Sequence, residues 1–181
     1  MGNRISKVVT RTGDDGSTGL ADGSRIAKSA PRIAAMGEVD ELNSCLGLLP
    51  AQGIDAALIA LLRNIQHKLF DLGGELALPG TVRIDSACVQ QLDESIEQYN
   101  KDLPPLREFI LPGGNQAAAL CHLARAVCRR SERCLFRLAE SETVNACSTI
   151  YLNRLSDLLF ILARILARRD GGSEIYWQKD I

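Results

Sequence analysis

The chain has 181 residues, the length of one domain, and we expect about 70% of the unfolded chain's surface to be buried on folding. A formal net charge of −1 gives no general reason to expect nucleic acid or an anionic membrane as a partner. No apolar run is long enough to span a bilayer, and no secretion signal is recognisable at the N-terminus. We therefore expect a cytoplasmic protein that binds neither a membrane nor nucleic acid.

The cysteines do not form a metal-binding pattern. None of the six belongs to a C-x-x-C pair, and the sequence contains only two histidines, His67 and His122. A zinc site is therefore not expected. Buried, reduced thiols in a cytoplasmic protein are the better interpretation; they are Cys45, Cys88, Cys121, Cys128, Cys134 and Cys147.

Residues 10–20 have the composition of an anion-binding loop. Glycine recurs there at every third residue, and glycine lets the backbone turn sharply and approach a ligand closely. Successive backbone N–H groups in such a loop can bind an anion. The hydroxyl side chains between the glycines, together with Arg11, Arg25 and Lys28, add donors and positive charge. The pattern predicts a phosphate-binding loop, although ordinary turns use the same residue types and the P-loop and EF-hand patterns are both absent.

Beyond residue 30 the apolar spacing is helical almost everywhere. It predicts five helices, at about 31–49, 54–76, 85–99, 117–138 and 150–166. No segment shows convincing strand alternation over any length. We therefore predict an all-α protein, a five-helix up-down bundle of the ferritin-like kind. Its single domain comprises an N-terminal loop at 1–30, the bundle at 31–168 and a surface tail at 169–181.

The fourth predicted helix carries an unusual cluster of charges. Arg125, Arg129 and Glu132 fall within about 60° of each other on the helix, with Arg133 beside them and Arg130 pointing elsewhere. The like-charged pair four residues apart is unfavourable unless an anion lies nearby. Arginine's planar guanidinium suits phosphate. A solvated basic face is the alternative interpretation.

Three further residues stand in unexpected places. Asn153 and Asp157 share a face of the otherwise apolar fifth helix, either as a satisfied buried network or as a nucleotide contact. Phe109 begins an apolar run that enters the loop at 112–114, where it is either a core anchor or the wall of a ligand site.

Together these segments resemble the PduO-type ATP:cob(I)alamin adenosyltransferases. The motifs occur in the family's order over about residues 7–168, and Ser17 stands where many members have threonine. The resemblance rests on these segments: residues 10–20, Lys28, 37–43, 109–114, 125–133 and 151–157.

The resemblance implies a homotrimer with active sites between subunits. Asp40 and Arg125 correspond to an intersubunit salt bridge, and Phe109 corresponds to the aromatic residue against the lower face of the corrinoid. One subunit would contact ATP through Thr10, Arg11, Thr12, Gly13, Ser17, Thr18 and Lys28. The neighbouring subunit would contribute Arg129, Arg130, Glu132, Arg133 and Asn153.

The resemblance also implies the reaction. Cob(I)alamin attacks C5′ of ATP, and adenosylcobalamin and tripolyphosphate are formed. Lys28, Arg129 and Mg²⁺ would stabilise the leaving group, and Phe109 would exclude a lower ligand from cobalt. A reductase and an adenosylcobalamin-dependent enzyme are the expected partners. Two alternatives remain, another ATP-dependent phosphotransferase or NTPase and a non-catalytic helical nucleotide-binding module.

Overall fold

The computed structural model describes residues 9–179, and these residues form five α-helices as predicted. The first eight residues of the predicted N-terminal loop and the last two of the tail lie outside the described part. No helix within the described part is long and apolar enough to cross a membrane. The helices are α1 (Pro31–Gly47), α2 (Ala56–Ala77), α3 (Ser86–Asn100), α4 (Gln116–Ala139) and α5 (Ala146–Ala167).

The helix starts are determined by local sequence. Pro31 occupies the first turn of α1, where its fixed φ suits a helix and its missing N–H is not needed. The side chains of Asp85, Asn115 and Asn145 each accept a hydrogen bond from a backbone N–H in the first turn of α3, α4 and α5, at 3.0, 2.9 and 3.0 Å. Such caps contribute about 1 kcal/mol each, so these signals fix where α1, α3, α4 and α5 begin.

Helix α5 has more buried residues than any other helix of the bundle. It packs against α4 and α3, while α1 packs against α4 and α2. Its leucines are buried on several sides, as its wide apolar arc predicts. The thiols of Cys121 and Cys128 donate to backbone carbonyl oxygens of α5 at 3.2 Å, and burial raises the pKa of Cys121 to about 12. The described cysteines are all free, and the expected burial holds for Cys88, Cys121 and Cys128, whereas the other three are half-buried.

The prediction of an all-α chain is wrong in one detail, because the N-terminal loop contains a small hairpin. Strands β1 (Ser17–Gly19) and β2 (Arg25–Ala27) pair antiparallel, with Thr18 opposite Ile26. The turn between them is held by the Asp22 carboxylate, which accepts from the N–H and the hydroxyl of Ser24 at 2.9 and 2.6 Å. Ala21 N–H donates to the carbonyl oxygen of Ala77 at 2.8 Å, which anchors the hairpin to the end of α2.

The C-terminal tail is only partly the surface extension that the sequence predicts. Most of its described residues are exposed, but Glu174 is buried. The tail pairs with the chain around Phe109: Leu111 N–H donates to the carbonyl oxygen of Ile175 and Trp177 N–H donates to that of Phe109, both at 2.8 Å. The tail therefore belongs to the folded structure beside α5.

Candidate active site

A network of short-range hydrogen bonds shapes the N-terminal loop. Gly16 N–H donates to the carbonyl oxygen of Gly13 at 3.2 Å, and Lys28 N–H donates to that of Gly16 at 2.9 Å. The Asp15 carboxylate accepts from the N–H and the hydroxyl of Ser17, which lowers its pKa. Arg25 Nε donates to the Ser17 hydroxyl at 3.0 Å, so the predicted ATP contact Ser17 already has partners within the loop.

The side chain of Lys28 lies over the N-terminal loop. A Cβ atom placed on Gly13 would stand 3.1 Å from Lys28 Nζ, so the ammonium group rests directly over that glycine. Among residues 9–179 the ammonium forms no ion pair. Thr10 and Thr12 come just before Gly13 in the sequence, and their hydroxyl oxygens are 3.0 Å apart. Arg11, between them, has a φ of 61°, which is uncommon for a residue other than glycine or asparagine. The loop therefore presents the ammonium group of Lys28 and the hydroxyl groups of two threonines, and no carboxylate among the described residues pairs with that ammonium.

Several of the residues that the sequence predicts as an anion site lie together on one face of α4. Asn153 Nδ2 on α5 donates to Glu132 Oε1 on α4 at 3.0 Å, so the structure brings these two predicted residues together. Arg129 and Arg133 are exposed on α4 and have no acidic partner within the described chain. Two uncompensated guanidinium groups beside a polar pair are well suited to a polyphosphate.

Arg130 lies elsewhere. Its guanidinium forms ion pairs with Glu38 and Glu41 on α1, and these hydrogen bonds raise its pKa. The neighbouring hydroxyl of Ser131 donates to the carbonyl oxygen of Glu38 at 2.8 Å. Arg130 therefore joins two helices, as its position on the helical wheel indicates, and its ATP contact stays a prediction from the resemblance.

Phe109 forms part of the wall of an open cavity of about 540 Å³. Its side chain is 78% exposed, so it is not the core anchor that the sequence left as an alternative. The rest of the wall combines apolar and polar side chains, namely Leu106, Arg107, Glu108, Ile110, His122, Arg125 and Phe160. A cavity of this composition can hold a large, mostly apolar ligand.

Two nitrogen atoms in this wall, Arg125 Nε and His122 Nδ1, are buried and have no hydrogen-bond partner among residues 9–179. Buried polar atoms are nearly always paired, so each has room for a partner such as a water molecule or a ligand. Burial, helped by the nearby charge of Arg125, lowers the pKa of His122. His122 is not among the site residues that the sequence predicts. Its position three residues before Arg125, on the same face of α4, is the signal that could have done so.

Asp40 and Arg125, the predicted salt-bridge partners, form no salt bridge with each other or with any other group in residues 9–179. Asp40 is exposed on α1 and lines a second cavity of about 540 Å³ together with Thr18 and Gly19 of the hairpin. This cavity and the Phe109 cavity share no residue. The N-terminal loop and the α4 cluster are therefore separate surfaces of one chain.

The fold and these two surfaces define a helical protein with a cationic loop and a cavity for a large ligand. The family model described as cobalamin adenosyltransferase matches residues 8–166. The chain belongs to the cobalamin adenosyltransferase family.

Similar proteins can be aligned with nearly the whole of this chain. A cobalamin adenosyltransferase of Cupriavidus metallidurans is 54% identical over 181 residues, covering 99% of this chain and 98% of the relative. A corrinoid adenosyltransferase of Bacillus subtilis is 41% identical, covering 96% and 93%. A solved PduO-type ATP:corrinoid adenosyltransferase from Lactobacillus reuteri, a phenylalanine-to-alanine variant complexed with cobalamin and ATP, matches with a TM-score of 0.88 and 35% identity. That match covers 95% of this chain and 99% of the other.

Proposed function

We propose that this chain transfers the 5′-deoxyadenosyl group of ATP to cob(I)alamin at a site built from the N-terminal loop, the α4 cluster and the Phe109 cavity. The single observation that carries the proposal is the cavity wall, which combines the exposed ring of Phe109 with two buried nitrogen atoms that have no partner in the described part of the chain. The family membership and a related structure complexed with cobalamin and ATP support the choice of substrates.

The reaction needs no general base from the protein. The reduced cobalt of the substrate attacks C5′, a Co–C bond forms, the C5′–O bond breaks, and its electron pair leaves with tripolyphosphate. The protein must hold the two substrates in line, which makes a bimolecular step effectively unimolecular. It must also stabilise the charge that develops on the leaving oxygen. Lys28 and Arg129, neither of which pairs with an acidic side chain among residues 9–179, are the residues we assign to this second task.

Magnesium would accompany the phosphates of ATP. No group of three or more histidine, cysteine or acidic side chains in the described part of the chain is arranged as a metal cage. Mg²⁺ retains several water ligands and commonly binds through substrate phosphates, so the cationic loop fits an ion delivered with ATP. Its chemistry there would be to neutralise phosphate charge. Lys28 and Arg129 act on the same charge from the protein side.

Phe109 would keep the lower face of the corrinoid dry. An aromatic ring that fills the space below cobalt disfavours water or the nucleotide base as a ligand there. Cobalt without that ligand is easier to reduce from Co(II) to Co(I), which makes the nucleophile accessible to a cellular reductase. An adenosylcobalamin-dependent enzyme would receive the product, and we expect all of this in the cytoplasm.

The site would be completed by a second copy of the chain in a homotrimer. Two observations support this arrangement. Asp40 and Arg125 have opposite charges and no partner in the described chain, and Thr18 lines a cavity separate from that of Phe109. A heterologous contact that closes into a ring would bring the loop of one copy to α4 of the next.

The function is tested by an anaerobic assay with ATP and chemically reduced cobalamin, followed by absorbance and by analysis of the released phosphates. We expect conversion of the corrinoid to its adenosylated form with one tripolyphosphate per turnover. Release of phosphate or pyrophosphate without a corrinoid change would indicate an NTPase or phosphotransferase. ATP binding without any turnover would indicate a nucleotide-binding module.

A further inference from the structure

The C-terminal tail is joined to the Phe109 cavity by a buried ion pair that the reaction does not use. Arg164 Nε on α5 donates to Glu174 Oε1 at 3.0 Å, and the two side chains are only 5% and 1% exposed. Arg168 pairs with the other oxygen of the same carboxylate. Burial opposes ionisation of Glu174, but the hydrogen bonds from Arg168 and Arg164 outweigh it and lower its pKa. Glu174 is therefore a fixed anion at the base of the tail.

The same arginine also holds the segment that leads to Phe109. Arg164 Nη2 donates to the carbonyl oxygen of Pro104 at 2.6 Å. One guanidinium thus binds both the tail segment, residues 172–177, and the Phe109 segment, residues 104–111. Because a guanidinium is planar and rigid, its hydrogen bonds fix the relative position of the groups they reach.

The two segments are further joined backbone to backbone. Ile110 pairs antiparallel with Tyr176, and the N–H groups of Leu111 and Trp177 donate across the pair at 2.8 Å. The tail approaches α5 so closely that a Cβ on Gly172 would stand 2.4 Å from the carbonyl oxygen of Ala167. The position of Phe109 therefore depends on a tail that is anchored at one end by Glu174.

We propose that Glu174 and Arg164 are positioning residues for the corrinoid, because their ion pair clamps the tail segment to the Phe109 segment and thereby fixes the wall of the cavity. The inference rests on the proposed function only in naming the corrinoid as the ligand. Phe109 is 78% exposed and is not held by core packing, so its placement must come from the backbone that carries it. The clamp supplies that constraint.

Glu174→Gln tests the clamp, since it keeps the size of the side chain and removes the charge. Glu142→Gln is the matched control: Glu142 pairs with the buried Arg32 at 2.6 Å, away from the Phe109 cavity. Gly172→Ala is a second test that displaces the tail without changing any charge. Each variant is assayed as the full chain with wild type alongside, for the KM and kcat of cob(I)alamin and of ATP, and for hydrogen exchange at the amides of Leu111 and Trp177.

We expect Glu174→Gln and Gly172→Ala to lower kcat/KM for the corrinoid about 10- to 100-fold, the effect of a small misplacement in a site, and to leave the KM of ATP within about twofold. The Leu111 and Trp177 amides should exchange faster in both. Glu142→Gln should leave the corrinoid KM and the exchange rates of both amides as in wild type.

The inference would be overturned by equal changes in kcat/KM for both substrates, by unchanged amide exchange in Glu174→Gln, or by the same corrinoid defect in Glu142→Gln. If Glu174→Gln does not fold, Gly172→Ala alone decides it. Wild type without corrinoid turnover would instead contradict the proposed function, and the amide exchange would still test the clamp.

Discussion

The Lys28 ammonium rests over Gly13, where a Cβ atom would stand 3.1 Å from Nζ and 3.1 Å from the carbonyl oxygen of Ser17. Gly13→Ala should therefore displace the Lys28 side chain and raise the KM of ATP about tenfold. Lys28→Ala should lower kcat/KM for ATP about 100-fold, because it removes the positive charge that stabilises the leaving tripolyphosphate. Steady-state kinetics measures both effects, and circular dichroism should show unchanged helix content. Gly47→Ala is the control, because a Cβ there meets only a flexible glutamine side chain at 3.5 Å. Wild-type ATP kinetics in both loop variants would remove Lys28 from the site.

The exposed ring of Phe109 leads to a prediction about the oxidation state of the substrate. Phe109→Ala should slow turnover from Co(II) far more than turnover from chemically prepared Co(I), because only the first requires the lower ligand to be excluded. The two rates are measured in parallel with the same enzyme preparation, and the KM of ATP should change little. Leu123→Ala, an exposed apolar side chain that does not line the cavity, is the control for general surface effects. Equal slowing from both starting states would make Phe109 a packing residue.

Asp40 and Arg125 should meet only between copies of the chain. Asp40→Arg should reduce activity and weaken the oligomer, because it would place a second positive charge against Arg125 at the contact between copies. The double variant Asp40→Arg with Arg125→Asp should recover part of both losses. Light scattering and the anaerobic assay measure the two quantities at the same protein concentration. A wild-type monomer at that concentration, or a double variant no better than the single one, would count against the interface.

His122 should make stability depend on pH. Its pKa is lowered from 6.5 in the folded chain, so below about pH 6.5 the unfolded chain binds a proton that the folded chain does not. Stability should then fall as pH decreases through this range, by at most about 1.4 kcal/mol per pH unit. His122→Gln should show a shallower slope than wild type when urea unfolding is measured across this pH range. Identical slopes in the two proteins would contradict the lowered pKa of His122.

Local sequence signals were sufficient for the helices. The apolar periodicity and the capping side chains Asp85, Asn115 and Asn145 act within a few residues, so each helix could be predicted to within a few positions. The hairpin could not, because three-residue strands have too few positions to show alternation. Its pairing depends instead on the Asp22 side chain and on the contact with α2.

The candidate site was predictable where its residues share a helix face and less so where they depend on tertiary contacts. The face of Arg125 and Arg129 followed from helical spacing alone. The pairing of Arg130 with α1 could be assigned only once the packing of α1 on α4 was known. Glu174 gave no signal of its own in the sequence, since its burial depends on Arg164, ten residues earlier on another element. Arg164 itself, a charge inside the apolar arc of α5, was the feature that could have been noticed.

The most direct test of a site shared between chains is complementation of two inactive variants. Lys28→Ala lacks the loop charge and Arg129→Ala lacks the α4 charge, so neither should be active by itself. If the two are unfolded and refolded together in equal amounts, about a quarter of the interfaces in a closed ring join an intact loop to an intact α4. The mixture should therefore regain about a quarter of wild-type adenosylation activity. Activity no higher than that of the separate variants, in a sample that native mass spectrometry shows to contain mixed oligomers, would contradict it.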